Sequence, residues 1–78
     1  MGLETIGDIF AALDELRCEV DEKLEKITDK FDKEVVESFL EEIEDEIQYF
    51  NDEDYYSELR AYDSFKDRWR VILDNLDN

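Results

Sequence analysis

Apolar residues recur at intervals of three and four along almost the whole chain, which is the period of an α-helix. Three such stripes follow one another, separated by short polar stretches, and the chain contains no Pro. The pattern predicts three helices, at about 6–28, 33–50 and 53–75, each with one apolar face. The residues assigned to these faces are Ile6, Ile9, Phe10, Leu13, Leu16, Val20, Leu24 and Ile27, then Val36, Phe39, Leu40, Ile43, Ile47 and Phe50, and finally Tyr55, Leu59, Tyr62, Phe65, Trp69, Leu73 and Leu76.

The first two stripes do not share one helical face. At ~100° per residue the second stripe is rotated by roughly 120° from the first, so a single straight helix would expose half of its apolar surface. We therefore predict a turn within 28–33, with Thr28, Asp29 or Asp32 as the helix cap. A second turn is expected in the polar cluster 51–54. The expected fold is all-α, a small antiparallel three-helix bundle forming a single domain over 1–78.

The composition favours a folded domain over an acidic tail. Although 44% of the residues are charged, 42% are hydrophobic and 13% aromatic, which is too apolar for a disordered segment. The single Cys cannot form an internal disulfide. The first residues contain neither the basic nor the apolar region of a signal peptide, and no apolar run reaches the ~20 residues of a membrane span. We expect a cytoplasmic protein.

Negative charge is concentrated in the middle of the chain. The net charge is −16, and residues 34–58 contain eleven Asp or Glu and no Lys or Arg. Such a charge repels nucleic acid and anionic membranes, so the expected partners are basic protein surfaces.

The middle helix retains like charges next to one another. In the first helix Lys residues are interleaved with acids, whereas 34–46 contains six acidic pairs at i,i+3 or i,i+4. At roughly 0.2–0.5 kcal/mol each, these pairs cost about 1–3 kcal/mol, against ~5–15 kcal/mol for a whole domain. The seven carboxylates come at about one per 2.6 Å of helix, between the ~1.7 Å of duplex DNA and the ~3.4 Å of a single strand. This pattern favours a functional face over a merely solvated one.

Catalytic and metal sites are not expected. The chain has no His, which removes the usual nucleophile pairs and acid–base residues. The segment 52–57 begins like a calcium loop, but it lacks the required Gly and ends at Asp63 where a Glu belongs. We therefore predict no enzyme activity, no cofactor and no metal.

Several other residues have simpler interpretations. Cys18 lies off the apolar stripe and is expected to be a partly exposed boundary residue. Arg17 falls on the stripe, where it is expected to extend its charged end to water or to pair with a carboxylate of another helix. The cations of the third helix are interpreted as partners for acids of neighbouring helices: Arg60, Lys66, Arg68 and Arg70.

In size, charge and the 34–58 block, the chain resembles the small acidic inhibitors that phages make against host defence nucleases, the anti-CRISPR and anti-restriction proteins. The resemblance implies nucleic-acid mimicry in the host cytoplasm, with carboxylates imitating phosphates in a partner's basic channel. Exposed Tyr residues beside the acids would anchor the contact. The predicted partner-binding residues are Glu34, Glu37, Glu41, Glu42, Glu44, Asp45, Glu46, Tyr49, Asp52, Glu53, Asp54, Tyr56 and Glu58.

Two alternatives remain open. The chain is also similar to the immunity proteins of nuclease colicins, in which an acidic helix precedes a Tyr-Tyr pair; Asp52, Asp54, Tyr55 and Tyr56 match that pattern, whereas Ser57 stands in place of the expected Pro. This resemblance implies an immunity protein or antitoxin that neutralises a nuclease. The other alternative is a structural or assembly protein, which would have an exposed apolar groove and bind with little sensitivity to salt.

Overall fold

A computed structural model describes residues 3–76 as three α-helices: α1 (Ile6–Lys26), α2 (Lys30–Gln48) and α3 (Tyr55–Asn75). Short connections join them, so consecutive helices run antiparallel. The prediction of a small all-α three-helix bundle is confirmed. Met1, Gly2, Asp77 and Asn78, which the predicted domain 1–78 includes, lie outside the described range.

The helix ends are set by side-chain caps. Thr5 accepts a hydrogen bond from the backbone N–H of Asp8, whose carboxylate accepts from the Thr5 N–H in return, and the two bonds form a capping box. Asp29 accepts from the N–H of Asp32 at 3.0 Å, so α2 starts at Lys30, three residues earlier than predicted. The turn between α1 and α2 is confirmed, and Asp29 is its cap among the three candidates.

The core forms where the three predicted stripes meet. Phe39 of α2 lies at its centre, stacked on Trp69 at a centroid distance of 5.8 Å and in edge contact with Phe65, also at 5.8 Å. Two residues assigned to the apolar faces lie outside the core, since Phe10 and Leu73 are 42% and 37% exposed. The buried apolar residues are Ile9, Leu13, Leu16, Val20, Val36, Phe39, Leu40, Ile43, Phe65 and Trp69.

A hydrogen bond from the core to the surface joins α3 to α1. The indole Nε1–H of Trp69, a residue that is 4% exposed, donates to Glu19 Oε2 at 2.7 Å. A buried indole N–H needs such a partner. The Glu19 carboxylate therefore makes a contact between helices.

Candidate anionic interface

Five carboxylates of α2 form a continuous exposed strip, which we call the acidic ridge: Glu34, Glu37, Glu41, Glu44 and Asp45. Their spacing places them on the arc of α2 opposite its buried stripe. Within residues 3–76, the two ion pairs that lie within 4.0 Å involve other carboxylates, those of Asp14 and Glu42. The ridge thus presents five uncompensated negative charges to solvent.

Glu42, which the sequence placed with the other exposed acids, is paired with a cation. Arg68 Nη1 and Nη2 donate to Glu42 Oε1 and Oε2, both at 2.8 Å, and these hydrogen bonds lower the pKa of Glu42. The same guanidinium lies 5.1 Å from the ring centroid of Phe39. Because its charge is neutralised across α2 and α3, Glu42 is not part of an uncompensated face.

Glu58 cannot present its carboxylate to a partner, because the residue is 3% exposed. Its Oε2 accepts a hydrogen bond from the backbone N–H of Asn51 at 2.9 Å, while Oε1 is buried and receives no hydrogen bond from any N–H group or from a Ser, Thr or Tyr hydroxyl. The expectation of an exposed Glu58 is therefore wrong. Its position explains the burial: Glu58 lies three residues after Tyr55 and four before Tyr62, within the apolar stripe of α3.

Glu46 faces Glu58 from α2 and is half-buried. Hydrogen bonding between the two carboxyl groups, together with burial and the negative charge of Glu58, raises the pKa of Glu46 to about 7. Glu46 therefore holds a proton for a large part of the time at neutral pH. A protonated, half-buried carboxyl group imitates a phosphate poorly. Glu46 therefore differs from the exposed, charged acid that the sequence predicted.

The α2–α3 connection adds exposed charge at one end of the ridge. Asp52, Glu53 and Asp54 are all exposed, and Asp54 also caps α3 by accepting from the N–H of Ser57 at 3.1 Å. A cap does not remove the charge of the carboxylate. These three acids remain available to a partner.

The two tyrosines predicted as anchors are exposed, Tyr49 by 75% and Tyr56 by 73%. The Tyr56 ring contacts that of Tyr55 edge-on at 5.2 Å. Tyr55 itself is half-buried, and its hydroxyl donates to the carbonyl oxygen of Leu3. Of the Tyr-Tyr pair, Tyr56 is thus the member whose ring is available for contact.

The cations only partly follow the sequence prediction. Arg68 pairs with α2 as expected, but in the described part of the chain Arg60, Lys66 and Arg70 make no ion pair within 4.0 Å. The Lys66 ammonium instead lies 5.5 Å from the centroid of the Tyr62 ring. Arg17 pairs with Asp14 of its own helix at 3.0 Å, rather than with another helix. The other two helices therefore provide no ion pair within 4.0 Å to the acidic ridge in residues 3–76, although the charge of Glu44 contributes to raising the pKa of Arg17 in α1.

An apolar groove lies between α2 and α3, at a position that the sequence did not predict. Phe31, Val35 and Val71 line it and are 78%, 52% and 58% exposed. Its volume is about 730 Å³, and its remaining lining residues are Glu34, Ser38, Phe39, Glu42, Asp67, Arg68 and Ile72. One sequence feature could have indicated the groove: Val35 and Val71 are β-branched apolar residues that lie off the apolar stripes of their helices. Since Glu34 belongs to both surfaces, the groove adjoins the acidic ridge.

From Leu3 to Leu76, no group of three or more Cys, Asp or Glu side chains is arranged to hold a metal ion. The helices in that range also lack a stretch that is both long and apolar enough to span a bilayer.

Comparison with family models, with curated proteins and with solved structures found no match to this chain.

Proposed function

We propose that this chain is a small acidic binding protein that blocks the basic nucleic-acid-binding surface of a partner, as an anti-defence inhibitor of the anti-CRISPR or anti-restriction type does. The observation that carries the proposal is the acidic ridge, five carboxylates on one exposed arc of α2 with no cation within 4.0 Å among residues 3–76. A line of uncompensated charge attracts an oppositely charged cleft over long range and accelerates association.

The charge spacing supports single-stranded nucleic acid as the ligand that is imitated. Once Glu42 and Glu46 are set aside, the five ridge carboxylates from Glu34 to Asp45 extend over eleven helical steps, about 16.5 Å at ~1.5 Å per residue. The four intervals between these five charges therefore average ~4.1 Å, nearer to the ~3.4 Å per phosphate of one strand than to the ~1.7 Å of duplex DNA. The exposed rings of Tyr49 and Tyr56 would take the place of bases against a stacking surface.

The ridge also retains a destabilising arrangement. Four of its like-charge neighbours are at i,i+3 or i,i+4, namely Glu34–Glu37, Glu37–Glu41, Glu41–Glu44 and Glu41–Asp45. At roughly 0.2–0.5 kcal/mol each, they cost about 1–2 kcal/mol. By contrast Glu42, whose charge faces another helix, has a matching Arg. Within α2, the carboxylate that faces another helix thus has a cation, whereas the ridge carboxylates have none within 4.0 Å among residues 3–76.

A second candidate, a helical assembly protein, is favoured by one observation, the apolar groove at Phe31, Val35 and Val71. Assembly through apolar contacts depends little on ionic strength, whereas binding through the ridge weakens steeply with salt.

An immunity protein or antitoxin would use the same anionic surface against a nuclease. This alternative has a different target protein from the preferred function, but in both the anionic surface binds a basic site by charge attraction.

The test is displacement of a fluorescent single-stranded oligonucleotide from a panel of basic proteins: an RNA-guided nuclease, a restriction endonuclease and a colicin-type nuclease. Fluorescence anisotropy is followed as the chain is added at rising NaCl concentrations. The proposal predicts displacement from at least one protein, with an inhibition constant that rises steeply with salt. If none of the panel releases its oligonucleotide, or if release is insensitive to salt, the proposed function is wrong.

A further inference from the structure

The groove between α2 and α3 is a second binding surface of a different chemical kind from the acidic ridge. Its apolar part comprises Phe31, Val35 and Val71, which are more than half exposed, above the buried Phe39. Phe31 is the most exposed large apolar side chain of the described residues. Scattered exposed apolar residues are ordinary, but three that line one concave surface indicate a place for another apolar surface.

The shape of the groove suits a helix. It runs between two antiparallel helices, and its α2 wall extends from Phe31 to Glu42, eleven steps or about 16.5 Å at ~1.5 Å per residue. A helix of another protein, three to four turns long and laid along that wall, would place its side chains at i, i+3 or i+4, and i+7 against the apolar lining. This is the geometry by which amphipathic helices dock into hydrophobic grooves.

The charges at the rim identify which kind of helix fits. Glu34 on the α2 side and Asp67 on the α3 side have no cation within 4.0 Å among residues 3–76. Glu42 and Arg68 neutralise each other at 2.8 Å and bring no net charge. The rim is therefore anionic on both sides of an apolar floor. Lys30 and Lys33 neighbour Phe31 in sequence, but neither lines the groove.

A second copy of the chain does not fit these charges. Each copy has a net charge of −16, and the acidic ridge borders the groove at Glu34. Two copies joined through this surface would bring two ridges near one another, and such self-repulsion favours the monomer.

We propose that the groove binds an amphipathic helix of a partner protein, one with an apolar stripe flanked by Lys or Arg. The stripe covers Phe31, Val35 and Val71, and the flanking cations meet Glu34 and Asp67. This inference does not rest on phosphate mimicry by the ridge, because the contact is with a folded helix and its specificity comes from the apolar stripe.

The probe is a designed peptide of ~16 residues, long enough to cover the α2 wall, with Leu at helical spacing and Lys beside it. One comparison peptide has the same composition with the Leu positions scrambled, and another has the Leu stripe with Glu replacing Lys. Binding to the full chain is measured by calorimetry at about 0.15 M and about 1 M NaCl, since the high-salt series suppresses non-specific charge attraction. Light scattering records the oligomeric state of the chain.

The proposal predicts that the Leu/Lys stripe peptide binds at least about tenfold more tightly than its scrambled counterpart. V35S/V71S, which removes apolar surface without changing charge, should reduce that preference to less than about twofold. The matched control is F10S, because Phe10 is a partly exposed aromatic residue that contacts Phe50 away from the groove. It should keep the preference, and circular dichroism verifies that both variants are folded.

Four results would each overturn the proposal. They are equal binding of striped and scrambled peptides, equal binding of the Glu-flanked peptide, an unchanged preference in V35S/V71S, and a dimer of the wild-type chain that V35S/V71S abolishes. The last result would assign the groove to a second copy. None of them affects oligonucleotide displacement by the ridge, so failure of this proposal is distinguishable from failure of the proposed function.

Discussion

The carboxyl group of Glu46 on α2 faces the buried carboxyl group of Glu58 on α3, and the pair holds a proton near neutral pH. The pKa of Glu46 is raised to about 7 by hydrogen bonding to Glu58 and by burial. The folded chain therefore binds more protons than the unfolded chain between pH ~4.5 and ~7. This contribution to stability is present at the acid end of that window and is lost as the pH rises through it.

Glu46→Gln should flatten this pH dependence, because the amide imitates the protonated acid and can donate to Glu58 at any pH. Relative to wild type, we expect E46Q to be more stable at about pH 8 by on the order of 1–2 kcal/mol and nearly unchanged at about pH 5. Urea unfolding at both pH values measures the difference. E37Q is the matched control, since Glu37 is exposed on the acidic ridge. If E46Q and E37Q show the same pH profile, the shared proton does not contribute to stability.

Glu19→Ala should destabilise the bundle by about 1 kcal/mol, because it leaves the buried indole N–H of Trp69 without its acceptor. Glu19→Gln keeps an acceptor oxygen and should recover at least half of that loss. Urea midpoints and Trp fluorescence provide the measurement. E22A, at an exposed position on the same helix, should have little effect. Equal midpoints for E19A and E22A would show that the hydrogen bond to Trp69 is not stabilising.

Phe39→Ala should be the most destabilising of the substitutions considered, at about 3–5 kcal/mol. Phe39 is 2% exposed and contacts both Trp69 and Phe65. A domain of this size has little stability to lose, so we expect F39A to be largely unfolded by circular dichroism at room temperature. F10A, which removes a ring that is 42% exposed, serves as the control and should remain folded. A folded F39A with a wild-type melting temperature would contradict the described core.

The Glu42–Arg68 ion pair should contribute little to stability despite its two hydrogen bonds of 2.8 Å. Both side chains are nearly half exposed, and exposed pairs are typically worth ~0.2–1 kcal/mol. A double-mutant cycle of E42A and R68A should give a coupling energy in that range, and about 1 M NaCl should reduce it further. A coupling energy several times larger, or one that salt does not alter, would show that the pair acts as a buried interaction.

Periodicity predicted the fold because each helix has one clear apolar stripe and recognisable caps. The stripe that begins at Ile6 indicated the start of α1, and the misaligned stripes of α1 and α2 required the turn that Asp29 caps. The exact first and last residues of each helix were harder to predict, because several polar residues near each turn could serve as caps.

The site was harder to predict, because charge alone does not determine which acids face solvent. Glu58 was grouped with its exposed acidic neighbours although its helical phase places it among Tyr55 and Tyr62. The phase of Glu46, three residues after Ile43 and four before Phe50, carries the same signal. The Glu42–Arg68 pair and the apolar groove depend on how α2 and α3 pack against each other. The periodicity of a single helix does not determine that packing.

In the proposed inhibition, the location of negative charge, rather than its total amount, produces binding. Two triple variants test it with equal changes in net charge: E37K/E41K/D45K on the acidic ridge, and E15K/E22K/E25K at exposed positions of α1. Each is compared with wild type in oligonucleotide displacement from the basic protein that the chain inhibits. We expect the ridge variant to lose inhibition by at least about a hundredfold, whereas the inhibition by the α1 variant should change by less than about fivefold. Equal losses in the two variants, or full inhibition by the ridge variant, would contradict this expectation.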